Sequence, residues 1–240
     1  RTNSGCLILL CSELCWETGV VHQIEVTMKK VLIATPCLYQ KVDAYFVHSL
    51  CESIKLGIKN DLDIRCVFLA NESILPMARN ELFRLAFTEQ YDTMVFIDDD
   101  EYWDEKVLIN IIQSEKDVVT VPVVNKGDTE ISYNVWLKDK TPDPVDGYFK
   151  IEKSGTGFLK LSRKAVIDLW NSNAEVLFRN KMLKNICEFT YDNGSFVGED
   201  ITLSRKLKEL GYTIWLNPNH TVSHIGNKMY KGDFKKSNNL

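Results

Sequence analysis

Residues 93–105 read TMVFIDDDEYWDE, and this stretch decides the fold prediction. Its first part, Thr93–Ile97, is a short and mostly apolar run, typical of a buried strand in a parallel sheet. The run leads directly into Asp98, Asp99 and Asp100. Because ligands of open α/β sheets bind beyond the carboxyl ends of the strands, the stretch predicts a ligand site at that edge.

The acidic cluster itself indicates a cation. Three adjacent carboxylates at the edge of an apolar core repel one another unless a cation compensates them, and oxygen ligands favour magnesium, calcium or manganese. In an extended chain Asp98 and Asp100 point the same way. The alternative is a solvated acidic turn, in which Asp104 and Glu105 begin the next helix. We expect Asp98 and Asp100 to bind a metal or ligand, because an apolar strand precedes them.

Strand and helix patterns alternate on both sides of this stretch. Apolar runs predict strands, whereas apolar residues four apart and capping residues such as Ser73 predict helices. The predicted strands are 31–35, 64–70, 93–97, 118–124 and 212–216, and the predicted helices are 42–58, 73–90, 104–114, 162–170 and 199–210. This order predicts one α/β domain with a doubly wound, mostly parallel sheet flanked by helices.

Composition excludes several classes of protein. The 240 residues are 45% hydrophobic and 26% charged, as in ordinary globular proteins. A net charge of -4 gives no basic surface for nucleic acid, and no apolar run approaches the ~20 residues of a membrane span. The seven cysteines include no CxxC pair and favour a reducing, cytoplasmic location. Four of them are predicted to be buried thiols: Cys37, Cys51, Cys66 and Cys187.

Four further motifs are weak when each is taken alone. Gly155–Phe158 reads GTGF, and its glycines permit close backbone approach. Gly198–Asp200 reads GED at a helix start, where acidic residues often only complement the helix dipole. His224 lies in SHIG, and a lone histidine more often has a structural role than a ligand-binding one. Arg79–Asn80 lies near the start of a helix, where the alternative to a functional role is a surface salt bridge.

The order of these motifs resembles that of GT-A fold glycosyltransferases. A DxD after an apolar strand, then GTGF, then GED and then HIG, with an arginine–asparagine pair before the DxD strand, is most similar to family-2-like and mannosyltransferase-like enzymes. The resemblance implies a GT-A, Rossmann-like domain over residues 28–226. Residues 1–27 look unlike the rest, and the stretch MKKVLIATPC from Met28 predicts a natural start there after a poorly ordered N-terminal extension. The lysines of residues 227–240 predict a basic C-terminal tail.

The resemblance also implies a role for each matching residue. The metal ligands would be Asp98, Asp100 and His224, holding Mn²⁺ or Mg²⁺, and the catalytic base would be Asp200, with Glu199 assisting it or binding the acceptor. The expected residues for the nucleotide-sugar donor are Thr35, Pro36, Arg79, Asp98, Asp99, Gly155, Thr156 and Gly157. Of these, Thr35 and Pro36 would hold the nucleobase, and Arg79 would lie near the nucleotide or its phosphates.

These roles predict a metal-dependent glycosyltransferase. It would move a sugar from a nucleotide-diphosphate sugar to a hydroxyl of a glycan, lipid or protein, since a metal neutralises the leaving group and a carboxylate deprotonates the acceptor. Inversion is favoured over retention. A sugar-nucleotide-binding module without catalysis and a metal-dependent nucleotidyltransferase or pyrophosphatase are the alternatives. Four aromatic residues in irregular stretches are candidates for stacking an acceptor sugar, although such residues more often pack in a core: Tyr133, Trp136, Trp170 and Tyr191.

Overall fold

The computed structural model describes residues 28–127, 130–138 and 143–240. The predicted extension over residues 1–27 lies outside this range. Along the chain the elements are β1 (Lys29–Cys37), α1 (Ala44–Ile58), β2 (Leu62–Ala70), α2 (Leu75–Thr88), β3 (Thr93–Ile97), β4 (Glu101–Tyr102), α3 (Glu105–Gln113), β5 (Val118–Thr120), β6 (Val135–Leu137), β7 (Phe149–Ser154), β8 (Phe158–Ser162), α4 (Arg163–Ser172), β9 (Glu175–Phe178), β10 (Lys181–Lys184), β11 (Thr190–Asp192), β12 (Ser195–Val197), α5 (Glu199–Glu209), β13 (Ile214–Leu216), β14 (Ser223–Ile225), β15 (Met229–Tyr230) and α6 (Phe234–Asn238).

Eight strands form the central sheet, in the order β2-β1-β3-β8-β5-β13-β7-β6. β1 is parallel to β2 and β3, and β5 is parallel to β13. β8 is antiparallel to both β3 and β5, while β7 is antiparallel to β13 and β6. Six of the eight strands therefore run in one direction, which confirms a mostly parallel sheet. The two strands that run in the opposite direction are β8, which lies between β3 and β5, and β7, which lies between β13 and β6.

Helices cover both faces of this sheet. All five residues of β3 are buried, and alternate residues point to opposite faces. Met94 and Phe96 belong to the core that packs against α2, α4 and α5. Val95 and Ile97 belong to the core that packs against α1 and α3. A strand buried on both faces reads as a continuous apolar run, which explains why β3 was recognisable in the sequence.

Two local predictions on the helices need correction. The N-cap of α2 is Ile74 rather than Ser73, and its backbone N–H donates to the Glu72 side chain at 3.0 Å. Pro76 does lie in the first turn, as predicted. Cys51 is exposed, because it lies on the outer side of α1, and so is not a buried thiol.

The C-terminal residues are part of the fold. β14 pairs with β4 and β15 in a small separate sheet. Phe234 in α6 is buried and packs edge-to-face on Tyr133, with ring centroids 5.1 Å apart. The basic residues 227–240 therefore return to the domain instead of extending into solvent. In the described part of the chain, no helix has the length and apolar character needed to span a membrane.

Candidate functional site

Arg79 is the centre of the candidate site. Its side chain is only 2% exposed, and its Nη2 donates to Asp98 Oδ1 at 2.9 Å. Its Nε lies 3.4 Å from Glu199 Oε1 as an ion pair without hydrogen-bond geometry. The guanidinium also lies over the Phe96 ring, 5.1 Å from the centroid. The surface salt bridge considered from the sequence is therefore wrong: one buried cation joins the DxD and GED motifs.

The two GED carboxylates have different surroundings. Glu199 is buried, and burial raises its pKa although Arg79 opposes the shift. Asp200 is partly exposed in the first turn of α5, where its Oδ1 accepts a hydrogen bond from the Ile201 N–H at 2.7 Å. The dipole of α5 favours negative charge at this end. Asp200 is thus the more accessible carboxylate, and Glu199 is held by Arg79.

Asp100 meets His224 where the turn before β4 lies beside β14. His224 Nε2 lies 3.1 Å from Asp100 Oδ1, and His224 Nδ1 lies 3.0 Å from the Val124 carbonyl oxygen. Lys126 contacts the second carboxylate oxygen of Asp100. Burial alone would raise the pKa of Asp100, but hydrogen bonds from His224 and Lys126 outweigh it and lower that pKa. Sequence reasoning missed Lys126, whose signal is its position two residues after the strand predicted over 118–124.

The donor set at Asp100 fits a divalent cation. A carbonyl oxygen only accepts, so His224 Nδ1 donates to the Val124 carbonyl oxygen, and Nε2 is the ring nitrogen that lies beside Asp100. Such a second hydrogen bond is typical of metal-binding histidines. Asp98, the third predicted ligand, instead faces Arg79. In the described ranges no group of three or more histidine, cysteine or acidic side chains is arranged for a metal. Two protein ligands suffice for Mg²⁺ or Mn²⁺ when substrate phosphates complete the site.

The GTGF turn lies directly beside the DxD motif. The Asp98 N–H donates to the Gly157 carbonyl oxygen at 3.1 Å. A Cβ at Gly157 would lie 2.1 Å from Glu101 Oε1 and 3.3 Å from Asp98 Oδ2, so only glycine fits there. Thr156 is buried, and Gly155 packs against Asn134. Gly157 therefore makes room for the carboxylates of Glu101 and Asp98, and Gly155 makes room for Asn134.

Glu101 is a second residue that sequence reasoning missed. Its side chain is buried, and neither carboxylate oxygen has a hydrogen-bond partner. Burial, with the charges of Asp98 and Asp100, raises its pKa well above the usual range. Its position inside an exposed-looking run of acids concealed this burial. Its surroundings therefore favour the uncharged form of the Glu101 carboxyl.

The expected nucleobase residues lie at the end of β1. Thr35 is fully buried and its hydroxyl faces Cys66, so its side chain cannot reach a ligand directly; this corrects the expectation. Pro36 is partly exposed and pairs with Leu69 of β2. Asp99 hydrogen-bonds with the Cys37 thiol, and burial raises the pKa of Asp99.

A cavity of about 190 Å³ lies beside this strand end. Its lining combines apolar and charged side chains, from Leu69, Ala70, Asn71, Glu72, Met77, Glu81, Phe178, Arg179, Lys181 and Leu183. The β9–β10 hairpin closes it through two ion pairs, Arg179 with Glu72 at 3.0 Å and Lys181 with Glu81 at 2.9 Å. The strand ends of β2 and β3 are separated by β1 alone, hence by about 10 Å.

Asn80 has a structural task next to Arg79. Its Nδ2 donates to the Cys187 carbonyl oxygen at 3.0 Å, and its Oδ1 accepts from the Cys187 N–H at 2.7 Å. Asn80 is fully buried. The arginine–asparagine pair thus does two jobs: Arg79 joins two acidic motifs, and Asn80 fixes the segment that leads to the GED.

Comparison with known proteins finds likeness only among solved structures. No family model matches the chain, and no curated protein matches it. A197 from STIV covers 83% of this chain and 87% of its own, with a TM-score of 0.51 and 17% identity. S. aureus TarS in complex with UDP-GlcNAc covers 88% of this chain and 61% of its own, at TM-score 0.41 and 15% identity. A Desulfovibrio desulfuricans G20 protein assigned as a nucleotide-diphospho-sugar transferase covers 79% of each chain, at TM-score 0.40 and 9% identity.

At these identities the likeness is one of fold. The chain has an α/β fold with a mostly parallel central sheet flanked by helices, as its alternating strand and helix patterns predict.

Proposed function

We propose that this chain is a metal-dependent glycosyltransferase that moves a sugar from a nucleotide-diphosphate sugar to a hydroxyl acceptor. The observation that carries the proposal is the buried Arg79, which contacts Asp98 of the DxD and Glu199 of the GED. Because one side chain joins the two motifs, groups suited to hold a donor diphosphate and groups suited to activate an acceptor lie together.

The charges at this edge support binding of a donor diphosphate through a cation. Asp100 and His224 are the ligands we assign, with Asp98 next to them and the donor phosphates completing the site. When bound, the cation neutralises the charge that develops on the departing nucleoside diphosphate. Lys126, which contacts Asp100, supplies further positive charge at the same place.

We assign the role of general base to Asp200. A base must reach the acceptor hydroxyl, and Asp200 is partly exposed whereas Glu199 is buried against Arg79. Glu199 then acts through Arg79, by holding the guanidinium between the two motifs. A base on the acceptor side is a feature of inverting transfer, which is the stereochemistry we propose.

For the nucleobase we favour the cavity beside β2 over Thr35. Its mixed apolar and polar lining suits a flat heterocycle with polar edges. The end of β2 in its wall lies about 10 Å from the end of β3, across β1, so the cavity lies at the same edge of the sheet as the DxD motif. Pro36 pairs with Leu69 in the cavity wall, so it remains a nucleobase-binding residue in this arrangement.

Product analysis with a panel of sugar-nucleotides and Mn²⁺ tests the proposal. A glycosyltransferase releases nucleoside diphosphate, slowly without an acceptor, and loses this activity on chelation and in Asp100→Asn. Lys106→Met, which alters a lysine on the outside of α3, is the control. Release of nucleoside monophosphate and sugar phosphate would instead identify a pyrophosphatase. Binding of the sugar-nucleotide without any turnover, with or without acceptors, would identify a binding module.

A further inference from the structure

The loop that follows β1, residues 38–43, lies between the cavity and the DxD motif. β1 is the strand between β2 and β3 in the sheet, and the three strands are parallel, so their carboxyl ends lie at one edge. Asn71, which lines the cavity, directly follows β2, and Asp98 directly follows β3. A ligand that extends from the cavity to the DxD motif therefore passes over the end of β1.

Hydrogen bonds join this loop to both of its neighbours. On the side of the cavity, Gln40 Nε2 donates to Asn71 Oδ1 at 2.7 Å. On the side of the DxD motif, the Asp43 N–H donates to the Asp99 carbonyl oxygen at 3.2 Å. The loop therefore has a defined position at the edge that the cavity and the DxD motif share.

The side-chain amides of Gln40 and Asn71 are exposed, so a ligand can reach them. A side-chain amide has two N–H donors and an oxygen with two lone pairs, and the bond between these two residues uses one donor and one lone pair. Both residues have a left-handed backbone, with φ of 55° for Gln40 and 65° for Asn71. This conformation is uncommon for glutamine, and such conformations cluster at ligand-binding sites.

We propose that Gln40 and Asn71 bind the ribose of the donor nucleotide through its 2′- and 3′-hydroxyls. This inference rests on the proposed function and deepens it, because it defines the donor as a ribonucleotide. In a nucleotide the ribose joins the base to the diphosphate, so a base in the cavity and a diphosphate at the DxD motif place the ribose over residues 38–43. A ribose hydroxyl both donates and accepts hydrogen bonds, and so does a side-chain amide.

Two carboxylates near this path already have partners within the protein. Asp43 is the N-cap of α1 and accepts a hydrogen bond from the Tyr45 N–H at 2.8 Å. Asp99 hydrogen-bonds with the Cys37 thiol. An ionised carboxylate also only accepts hydrogen bonds. The two amides are therefore better suited to the ribose hydroxyls than these neighbouring carboxylates.

A second glutamine–asparagine pair supplies a matched control. Gln113 Nε2 donates to Asn60 Oδ1 at 3.0 Å, and Gln113 is exposed, as Gln40 is. Asn60 precedes β2 and Gln113 precedes β5, so this pair lies at the amino ends of the strands, at the edge opposite the cavity. An effect on ribose binding should therefore follow from substitutions at Gln40 and Asn71 and not from a substitution at Gln113.

Calorimetry with nucleoside diphosphates and their 2′-deoxy counterparts in Mn²⁺ tests this inference. The probes are UDP, GDP, ADP and CDP, each with its 2′-deoxy form; they carry no transferred sugar, so a difference within a pair reports on the ribose alone. The proteins are the wild type, Gln40→Ala, Asn71→Gly and the control Gln113→Ala. Glycine removes the Asn71 amide while permitting the left-handed backbone. The substituted side chains are exposed, so each variant is expected to keep the wild-type thermal midpoint.

We expect the wild type to bind at least one ribonucleoside diphosphate about tenfold more tightly than its 2′-deoxy form, as the loss of one hydrogen bond predicts. Substituting the amide that contacts the 2′-hydroxyl should abolish this preference. Substituting the other amide should weaken both members of the pair about tenfold, because the 3′-hydroxyl is present in both. Gln113→Ala should bind both members like the wild type.

Three results would overturn the inference and leave the proposed function standing. The first is equal affinity of the wild type for the two members of every pair that it binds. The second is wild-type affinity for both members in Gln40→Ala and in Asn71→Gly. The third is the same loss in Gln113→Ala as in these two variants. A wild type that binds none of the probes would refute the proposed function and the inference with it.

Discussion

Replacing Arg79 with methionine tests the central electrostatic link of the site. Methionine fills a similar volume without charge, so the substitution removes the cation while leaving the packing on Phe96 largely in place. Asp98 and Glu199 then remain close together without compensation. We expect both the stability of the fold and the geometry of the two acidic motifs to suffer.

The magnitude follows from burial. Removing one partner of a buried ion pair costs about 3–5 kcal/mol, because the other charge is left unpaired. Glu199 is buried and takes this cost in full, whereas Asp98 is about one third exposed and is partly screened by water. We therefore expect a loss near the lower end, about 3 kcal/mol, which lowers the thermal midpoint by about 6–12 °C in a domain of this size.

The loss should depend on pH. Burial raises the folded-state pKa of Glu199 above 4.5, so its ionised form is costly in the fold and stability decreases as the pH rises through that pKa. Without Arg79 the pKa rises further and this decrease becomes larger. The difference between wild type and Arg79→Met should consequently be greatest at about pH 8 and smaller at about pH 5, where Glu199 takes up a proton.

Urea unfolding at both pH values measures these differences, with Arg84→Met as the control on the same helix. Arg84 is partly exposed and forms an ion pair with Glu81. Because Glu81 still has its ion pair with Lys181 when Arg84 is replaced, Arg84→Met should lower the free energy of unfolding by less than about 1 kcal/mol. An Arg79→Met protein as stable as Arg84→Met, or a destabilisation that grows toward acid pH, would refute the reasoning.

Three further substitutions address other parts of the site. Asp200→Asn should reduce transfer by about 10²–10⁴-fold while donor binding measured by calorimetry stays within twofold; near-normal transfer would remove Asp200 as the base. Asn80→Ala leaves the buried N–H and carbonyl of Cys187 without partners, at about 1–3 kcal/mol each, and an unchanged urea midpoint would contradict this. Gly157→Ala places a Cβ 2.1 Å from Glu101 Oε1, so unfolding should require about 1–3 kcal/mol less; wild-type stability would mean that Glu101 moves freely aside.

The sequence predicted the parts of the fold that depend on local pattern. β3 is recognisable as a strand because it is buried on both faces. α1 is recognisable as a helix because apolar residues such as Phe46 and Leu50 recur every four positions. The reversed direction of β8 depends on its pairing with β3 and β5, which no local pattern records. The N-cap of α2 likewise depends on where Glu72 points rather than on the presence of Ser73.

The site was less predictable than the fold because its geometry depends on how separate elements pack together. Asp98 and Asp100 were recognisable because they follow an apolar strand. The burial of Arg79 was not, since it results from the way α2 packs against the sheet and α5. Residues 171–195 could not be interpreted because their two hairpins direct large apolar groups outward, such as Leu177 and Tyr191, against the usual pattern.

The most direct test of the account is calorimetry of nucleoside diphosphate binding with and without Mn²⁺. The central claim is that Asp100 and His224 hold a cation that is completed by donor phosphates. Because these are two protein ligands only, Mn²⁺ alone should bind weakly, and a nucleoside diphosphate should bind tightly only with Mn²⁺. His224→Ala should remove this coupling. Equal affinity for a nucleoside diphosphate in Mn²⁺ and in chelator would contradict the claim.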